Sequence, residues 1–414
     1  MRWYCRRSPD EFFADPVKER TVNAPDTIKE PAHFTYFPGN YRWSAEMLAI
    51  LSTAPYGGAE LSEAHRIGRQ LRACVGDDNA WFHAWTEGGD RLRARAKAAE
   101  GSGHRITAAS TYLRACAQYQ HAEHFRHPKD AVALDVFQRS LDCFGKFMAL
   151  TDRPRIEKVD VQYPHGKLPA YFIHAQNTTA QRAPCVVRFG GFDTQKELQY
   201  LRGITDFTRR GYAVLLVDGP GMGESIRLRN IPLHGDYELV GSACLDYLAT
   251  RNDVDTNRIG VVALSLGGYF APRCAALDHR FKACVAWGAQ WDVHAMWVKR
   301  LDAIKQGSHV ALPVPVDHVR WVFGVDTFEQ ALDKLKAFRL DGIVQKMQCP
   351  FLLTHGTEDQ QVPMSEAQKL FDAVGSADKT FRVFTPEEGG AQHCQRDYLT
   401  LVCDVIADWI EEKL

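Results

Sequence analysis

The seven residues Ala263-Leu264-Ser265-Leu266-Gly267-Gly268-Tyr269 form the most informative stretch of the sequence. They overlap the end of the apolar run 259–264, which is typical of a buried strand, and open a helical pattern at 266–277. A serine in such a strand-to-helix turn needs small neighbours, because larger side chains would collide with the adjacent strand and helix. The usual pattern is G-x-S-x-G, with alanine here replacing the first glycine. The stretch predicts a nucleophilic serine, although a serine before two glycines also occurs as an ordinary turn.

The sequence around this turn alternates between short apolar runs and amphipathic helical segments. Continuous apolar strands separated by helices are typical of a parallel sheet that is covered on both faces. Just before them, alternation of apolar residues around Pro164-His165-Gly166-Lys167 predicts a β-hairpin. We therefore expect an α/β fold with a mostly parallel, doubly wound sheet. Its strands are predicted at 185–189, 213–217, 259–264, 283–287, 350–354 and 381–384, and its helices at 195–210, 235–251, 266–277 and 397–413.

The first 150 residues have a helical period and few β-branched runs. We expect a helical lid domain at 1–150 and a catalytic domain at 151–414. Between 290 and 347 the strand pattern breaks, and aromatic-rich helical segments predict a lid insertion over the carboxyl edge of the sheet. Helices of the first domain are predicted at roughly 42–53, 61–75, 78–98, 106–126 and 129–150.

A serine hydroxyl needs a histidine base and a carboxylate behind that base, in the chain order Ser, Asp, His. The segment His355-Gly356-Thr357-Glu358-Asp359 follows an apolar strand and places Asp359 where the acid is expected. His393 follows the predicted strand 381–384 and precedes the last helix, so it lies at the same sheet edge. Three weak signals in the required order predict a triad of Ser265, Asp359 and His393.

Neighbouring residues offer alternatives for two of these roles. Glu358 could be the acid instead of Asp359. His355 ends a strand, a position typical of a structural histidine that satisfies a backbone group. Cys394 has no such turn of its own and adjoins the predicted base, which favours a packing role over a nucleophilic one.

Acyl transfer also requires N–H donors for the developing oxyanion. The N–H of Leu266, directly after the serine, is one candidate. Gly190 and Gly191 follow a strand and allow the backbone to approach a substrate oxygen, which makes the N–H of Phe192 the second candidate; the same pair is otherwise an ordinary turn. The glycine-rich loop 218–225 contains a proline and lacks a Lys-Ser/Thr ending, so it predicts a structural loop and not a nucleotide site.

The amino-acid composition limits the kinds of partner and cofactor that we expect for the protein. The chain of 414 residues has 50 basic and 51 acidic side chains, which argues against nucleic acid or an anionic membrane as a partner. The start, Met1–Arg7, lacks the apolar core of a signal peptide, and no apolar run approaches the ~18 residues of a membrane span, so we expect a cytoplasmic protein. Its 11 cysteines include no CxxC pair. The predicted chemistry requires no metal or organic cofactor.

The chain resembles the α/β-hydrolases with a helical N-terminal domain, which include 2,6-dihydroxypseudooxynicotine hydrolase, the fungal polyketide-shortening hydrolases of pigment synthesis and the fermentation–respiration switch proteins. Several members cleave a carbon–carbon bond beside a ketone by a retro-Claisen route. The resemblance implies that Ser265 attacks the ketone, an enolate leaves and the acyl-serine is hydrolysed. It rests on the loop 190–193 with Lys196-Glu197 behind it, the loop 218–225, the helix 112–123, the Ser265 and Asp359 turns and the His393-Cys394 pair.

The same machinery also suits a carboxylesterase, a thioesterase or an acyltransferase, and a non-catalytic binding or regulatory role stays open. The aromatic residues of the insertion favour a small aromatic or polyketide-like substrate, although ordinary packing explains each one equally well. The apolar surface of the helical domain would allow a homodimer. The predicted substrate contacts are Gly191, Trp291, Asp292, His294 and Trp297.

Overall fold

An eight-stranded sheet forms the centre of the computed structural model, which describes residues 33–306 and 314–414. The outer hairpin is antiparallel, and the strands from the third position onward pair in parallel. In chain order the strands are β1 (Ile156–Tyr163), β2 (Gly166–Ile173), β3 (Ala183–Phe189), β4 (Ala213–Val217), β5 (Val254–Leu264), β6 (Ala283–Trp287), β7 (Phe351–Gly356) and β8 (Lys379–Phe384). They lie in the order β1-β2-β4-β3-β5-β6-β7-β8, which confirms the predicted α/β class.

The helices fall into three groups. The first group, α1–α5, we call the helical lobe: α1 (Tyr41–Ser52), α2 (Leu61–Leu71), α3 (Asp78–Gly101), α4 (Arg105–His124) and α5 (Ala131–Leu150). The second group alternates with the strands: α6 (Lys196–Tyr200), α7 (Ile204–Arg209), α8 (Gly223–Arg229), α9 (Glu238–Ala249), α10 (Gly267–Leu277), α14 (Met364–Ala373) and α15 (Leu399–Lys413). The third lies between β6 and β7: α11 (Val293–Lys305), α12 (Val316–Phe323) and α13 (Phe328–Leu335).

Side-chain caps define the starts of three helices of the lobe, α1, α3 and α5. Asn40 accepts a hydrogen bond from the backbone of Trp43, and Asp77 and Asp130 cap α3 and α5 in the same way. Such caps satisfy backbone N–H groups that have no partner within the helix.

The pleat of the strands divides the apolar residues between two cores. On β3, Val187 faces the core beneath α9, α10 and the inserted helices, whereas Val186 faces the core beneath the helical lobe, α7 and α15. The lobe therefore covers one face of the sheet and shares its core with that face. Residues His33–Leu414 accordingly form one compact unit.

Two details of the predicted pattern differ from the structure. The helix expected at 195–210 is split into α6 and α7, because Gly203 between them has a left-handed φ of +78°. The loop expected at 218–225 passes into a helix, α8, at Gly223. The prediction for Met1–Arg7 lies outside the described residues, and so do residues 307–313 of the predicted insertion. Within the part that is described, no helix has both the length and the apolar character needed to cross a membrane.

Buried ion pairs join the helical lobe to the sheet. The Arg227 guanidinium on α8 donates to Asp193 Oδ2 at 2.8 Å and to Glu123 Oε2 of α4 at 2.7 Å. Lys129 Nζ lies 2.8 Å from the other oxygen of Glu123, and all of these side chains are buried. The Arg227 charge holds the pKa of Asp193 well below its ordinary range despite burial, which alone would raise it.

A second buried network ties together the two loops quoted in the sequence analysis. Lys196 Nζ lies 3.0 Å from Asp218 Oδ2, 3.2 Å from Glu224 Oε2 and 2.9 Å from Glu197 Oε1. Asp218 also accepts hydrogen bonds from the backbone N–H groups of Lys196 and Glu224, at 2.7 and 2.9 Å. The charged residues of both loops therefore hold the backbone together, and the loop 218–225 has the predicted structural character.

We expect Arg227→Met to lower the free energy of unfolding by about 3–5 kcal/mol, because the buried carboxylate of Asp193 would lose its guanidinium partner and that of Glu123 would keep only Lys129. Arg182→Met, at an exposed position, should change that energy by less than about 0.5 kcal/mol. Urea unfolding of both variants measures the difference. Equal stabilities would show that the Arg227 network does not support the fold.

Candidate active site

Close packing explains the small residues around Ser265. The backbone of Ser265 is left-handed, with φ at +59°, and its N–H donates to the Trp287 carbonyl at 2.8 Å. A Cβ on Gly267 would lie 2.6 Å from the Ala263 Cβ, so alanine fits at position 263 because residue 267 is glycine. A Cβ on Gly268 would lie 1.9 Å from a backbone oxygen. The strain at the serine is thus held by neighbours that could not be larger.

The structure brings Ser265, His393 and Asp359 together in one chain of hydrogen bonds. Ser265 Oγ lies 2.8 Å from His393 Nε2, and His393 Nδ1 lies 2.7 Å from Asp359 Oδ2. The second carboxylate oxygen, Oδ1, accepts from the N–H groups of Gln361 and Val362 at 2.8 and 2.9 Å. Those backbone bonds fix the carboxylate, which in turn orients the imidazole toward the serine.

The pair of His393 and Asp359 is buried and polarised. Burial alone would lower the pKa of His393, but the Asp359 carboxylate and the adjacent Cys394 raise it to about 9. Burial alone would raise the pKa of Asp359, but the charge of His393 and the hydrogen bond to its ring hold that pKa below the ordinary value. Asp359 therefore stays ionised and favours the imidazolium that forms when His393 takes a proton.

The alternatives for these roles lie elsewhere in the site. Glu358 accepts a hydrogen bond from the Gln392 amide at 2.9 Å and makes no contact with His393 among the described hydrogen bonds. His355 Nε2 lies 3.0 Å from the Val362 carbonyl, in keeping with a structural role. Cys394 is buried, and its thiol lies 3.6 Å from the Trp287 carbonyl and 3.5 Å from His393 Nε2.

The two predicted oxyanion donors flank the serine. Leu266 follows Ser265 directly. A Cβ on Gly191 would lie 2.7 Å from the Ser265 Cβ, so the loop that carries Phe192 contacts the strand-to-helix turn at Ser265. In the described ranges, neither the Leu266 nor the Phe192 N–H donates to a protein acceptor. Both N–H groups are therefore available to a substrate oxygen. Asp193, held by Arg227, has φ at +46° and fixes the turn beyond Phe192.

A cavity opens over the serine, with contributions from the lobe, the sheet loops and the inserted helices. The open space above the serine is about 1050 Å³, solvent at the mouth included. Of the residues predicted as nucleophile, oxyanion donors and substrate contacts, the lining includes Ser265, Leu266, Phe192 and Trp297. Its other apolar lining residues are Ala45, Leu198, Val293, Met296, Val314, Leu335 and Val362.

Four other predicted substrate contacts lie outside the lining of that cavity. Gly191 packs behind Ser265. Asp292 caps helix α11 through the Ala295 N–H and pairs with Arg339 at 3.1 Å, so its carboxylate has structural partners. Trp291 packs into the core beneath the inserted helices, and His294 is half-buried on α11. The sequence placed these residues at the correct edge but could not tell which side of α11 faces the cavity.

Several lining residues were not predicted from the sequence. Arg202, Arg300 and Arg396 line the cavity, and so does Gln290, whose Oε1 is buried without a partner in the described chain. Arg202 follows α6, Arg300 lies on α11 and Arg396 follows His393. Only Arg396 had a local signal, its position three residues after the predicted base.

This sheet, the strained serine at the end of β5 and the cavity above it define an α/β-hydrolase. Residues 61–414 match the family described as esterase FrsA-like. The chain belongs to the FrsA-like esterase family and is a hydrolase.

Relatives and solved structures agree with this assignment. The hydrolase LUC6 of Fusarium sp is 32% identical, over 91% of this chain and 97% of the relative. The 20-hydroxy-prefusarin hydrolase FUS2 of Gibberella moniliformis is 28% identical, over 88% and 95%. The crystal structure of 2,6-dihydroxy-pseudo-oxynicotine hydrolase has a TM-score of 0.74 at 23% identity and covers 88% of this chain and 95% of that one. At that identity it supports the fold alone.

We expect Gly191→Ala to reduce turnover by about 100-fold, because the added Cβ would lie 2.7 Å from the Ser265 Cβ and displace the Phe192 N–H. Gly145→Ala is the matched control, since a Cβ there meets nothing within 4 Å. Steady-state kinetics of both variants provide the test. Unchanged turnover in Gly191→Ala would show that the loop position is not critical.

The raised pKa of His393 predicts a basic pH optimum. Because the base must be neutral and its pKa is about 9, kcat/KM should rise about tenfold per pH unit from about pH 6 to 8 and level off near pH 9. In Asp359→Asn the pKa should fall, which moves the plateau to lower pH, and the maximum should drop by about 10⁴-fold. Ester turnover between pH 5 and 10 measures both profiles. A wild-type rate that is flat above pH 6 would contradict the raised pKa.

Proposed function

We propose that the protein cleaves a carbon–carbon bond beside a ketone, with Ser265 as nucleophile, His393 as general base and Asp359 as the orienting acid. The observation that carries the proposal is the continuous hydrogen-bonded chain from Ser265 Oγ through His393 to Asp359. Its two links, at 2.8 and 2.7 Å, have the geometry of an activated nucleophile. The resemblance to hydrolases that act by retro-Claisen cleavage supports the choice of bond.

The first half of the reaction forms an acyl-serine. His393 Nε2 takes the Ser265 proton as Oγ attacks the ketone carbon, and the N–H groups of Leu266 and Phe192 bind the resulting oxyanion. The oxyanion then collapses and the adjacent carbon–carbon bond breaks. Its electron pair leaves on the neighbouring carbon as an enolate, which takes the proton from His393.

The second half releases the acid. Water attacks the acyl-serine carbonyl and gives its proton to His393, and the same two N–H groups bind the oxyanion. Collapse returns the proton to Ser265 Oγ and frees a carboxylic acid. Water is the only co-reactant, and the enzyme ends in its starting state.

The substrate that fits this proposal is a small molecule with an aromatic or polyketide-like part. The rings of Phe192 and Trp297, with the aliphatic side chains beside them, offer an apolar surface next to the serine.

We also propose that the protein acts in the cytoplasm and forms a homodimer through the helical lobe, whose Leu61, Ile106 and Val132 are exposed. Sedimentation velocity of the purified chain would test the dimer.

Cleavage of a carboxylic ester or thioester, or acyl transfer, is the second candidate. The same triad and the same two N–H donors serve it, and only the leaving group differs. Membership of the FrsA-like esterase family favours this candidate.

Products distinguish the two candidates. We expect wild type to split 1-phenylbutane-1,3-dione into two fragments that mass spectrometry identifies as a ketone and an acid. Ser265→Ala should lose at least about 10⁴-fold in turnover and all labelling by a fluorophosphonate. Ser110→Ala, at an exposed serine outside the site, is the matched control and should retain both.

Each outcome has a definite meaning. Turnover of a p-nitrophenyl ester without cleavage of the dione would replace carbon–carbon cleavage by ester hydrolysis. Labelling that persists in Ser265→Ala would overturn the assignment of the nucleophile.

A further inference from the structure

Three guanidinium groups face the cavity without a carboxylate partner. Arg202 is 7% exposed and lines the cavity, yet among the described residues no acceptor lies within hydrogen-bond distance of its side chain. Arg396 makes no ion pair there either, and its Nε is buried without an acceptor. Arg300 donates only to the carbonyl of Gln361. Buried charged donors normally have partners, because leaving them unpaired costs several kcal/mol.

Guanidinium groups are charged at neutral pH, and burial does not remove the charge of Arg202. Burial, and then the nearby Arg396, lower the pKa of Arg202, but only to about 10. Burial also lowers the pKa of Arg300, against the attraction of Asp359. The fully buried guanidinium of Arg188 lies 4.7 Å from the centroid of the Trp287 ring and close enough to Arg202 to affect its charge; its three nitrogens have no acceptor in the described chain.

The other charged groups of the lining do not balance the positive charge of these arginines. Arg42 is paired with Asp78 at 2.6 Å, and Asp193 is held by Arg227. Glu46 is the remaining carboxylate of the lining; it faces Arg396 and lies 2.6 Å from His121 Nδ1. His124 is neutral, because burial lowers its pKa to about 4. The cavity therefore has more positive than negative charge.

We infer that the cavity binds its substrate through a planar anion with two oxygens, a carboxylate or an ionised 1,3-dicarbonyl, held by Arg202 and Arg396 with Arg300 beside them. A guanidinium presents two parallel N–H donors, which match two oxygens of such an anion. The inference deepens the proposed function by naming the substrate class, and it rests on that function for the cavity being the active site. The anion would lie in the cavity above Ser265, while Trp297 and Phe192 contact the apolar part of the substrate.

Calorimetry on the full chain tests the inference without turnover, in a Ser265→Ala background. The probes are 4-phenylbutanoate against 4-phenylbutanamide, and 5-phenylcyclohexane-1,3-dione against 3-phenylcyclohexanone, each an anion beside a neutral molecule of similar shape. We expect the anions to bind at least about tenfold more tightly than their neutral partners. Arg202→Gln and Arg396→Gln should each remove that preference, and Arg182→Gln, with the same change of net charge at an exposed site, should keep it.

The pattern of binding identifies the group. A preference for 4-phenylbutanoate alone points to a carboxylate, and one for the dione alone points to an ionised 1,3-dicarbonyl. Neutral probes that bind as tightly as the anions, or a preference that survives both glutamine variants, would overturn the inference. If a glutamine variant does not fold, Arg202→Lys and Arg396→Lys keep the charge and should lose part of the preference.

The outcome is independent of the proposed chemistry. Selective binding of anions by a protein whose Ser265 does not react with a fluorophosphonate would refute the proposed role of Ser265 and keep the anion site. A reactive Ser265 in a cavity without anion preference would do the reverse.

Discussion

The ion pairs of Arg227 with Asp193 and Glu123 fix the positions of three parts of the molecule relative to one another. One guanidinium joins helix α4 of the lobe to the loop after β3, and it lies over the rings of Phe137 and Trp321, 4.9 and 5.1 Å from their centroids. Trp321 belongs to the inserted helices. The helices that cover the cavity, the loop that carries Phe192 and the edge of the sheet are therefore fixed to one another through the buried guanidinium of Arg227. Because Asp193 follows Phe192 directly, the geometry proposed for the oxyanion depends on this contact.

The strand-to-helix turn at Ser265 imposes a second constraint, which concerns the space available for side chains and not their charge. Ser265 holds a left-handed backbone, and the positions around it are filled so closely that Gly191, Gly267 and Gly268 have no room for a Cβ. Charge and volume meet at the loop 190–193, since Gly191 packs against the serine and Asp193 binds Arg227. The groups proposed as catalytic thus lie at the ends of strands, while the cavity above them is assembled from the lobe and the insertion.

Most of the fold could be predicted, because strands such as β3 and β6 are buried on both faces and appear as unbroken apolar runs. The three residues of the proposed triad could be named from the sequence because each has a local signature at a strand end. The structure places them in one hydrogen-bonded chain, and their catalytic role stays a proposal. The cationic lining could not be found, because Arg202, Arg300 and Arg396 come from three distant segments and a lone arginine on an amphipathic segment is ordinary. Asp292 was predicted as a substrate contact because its neighbourhood is aromatic, but its carboxylate caps a helix and it is not among the lining residues of the cavity.

The core that the lobe shares with the sheet also limits how substrates enter and products leave. Trp43, Trp81 and Trp85 are fully buried, and they belong to the same cluster as Val186 and Val262 of the sheet. Swinging the lobe away as a hinged cover would hydrate part of that core, at about 25 cal/mol for each Å² of apolar surface exposed. A motion of that size would use much of the free energy that keeps a folded domain together. Exchange at the cavity is thus expected to proceed by local motions of side chains and loops at its mouth, on a timescale set by those small displacements.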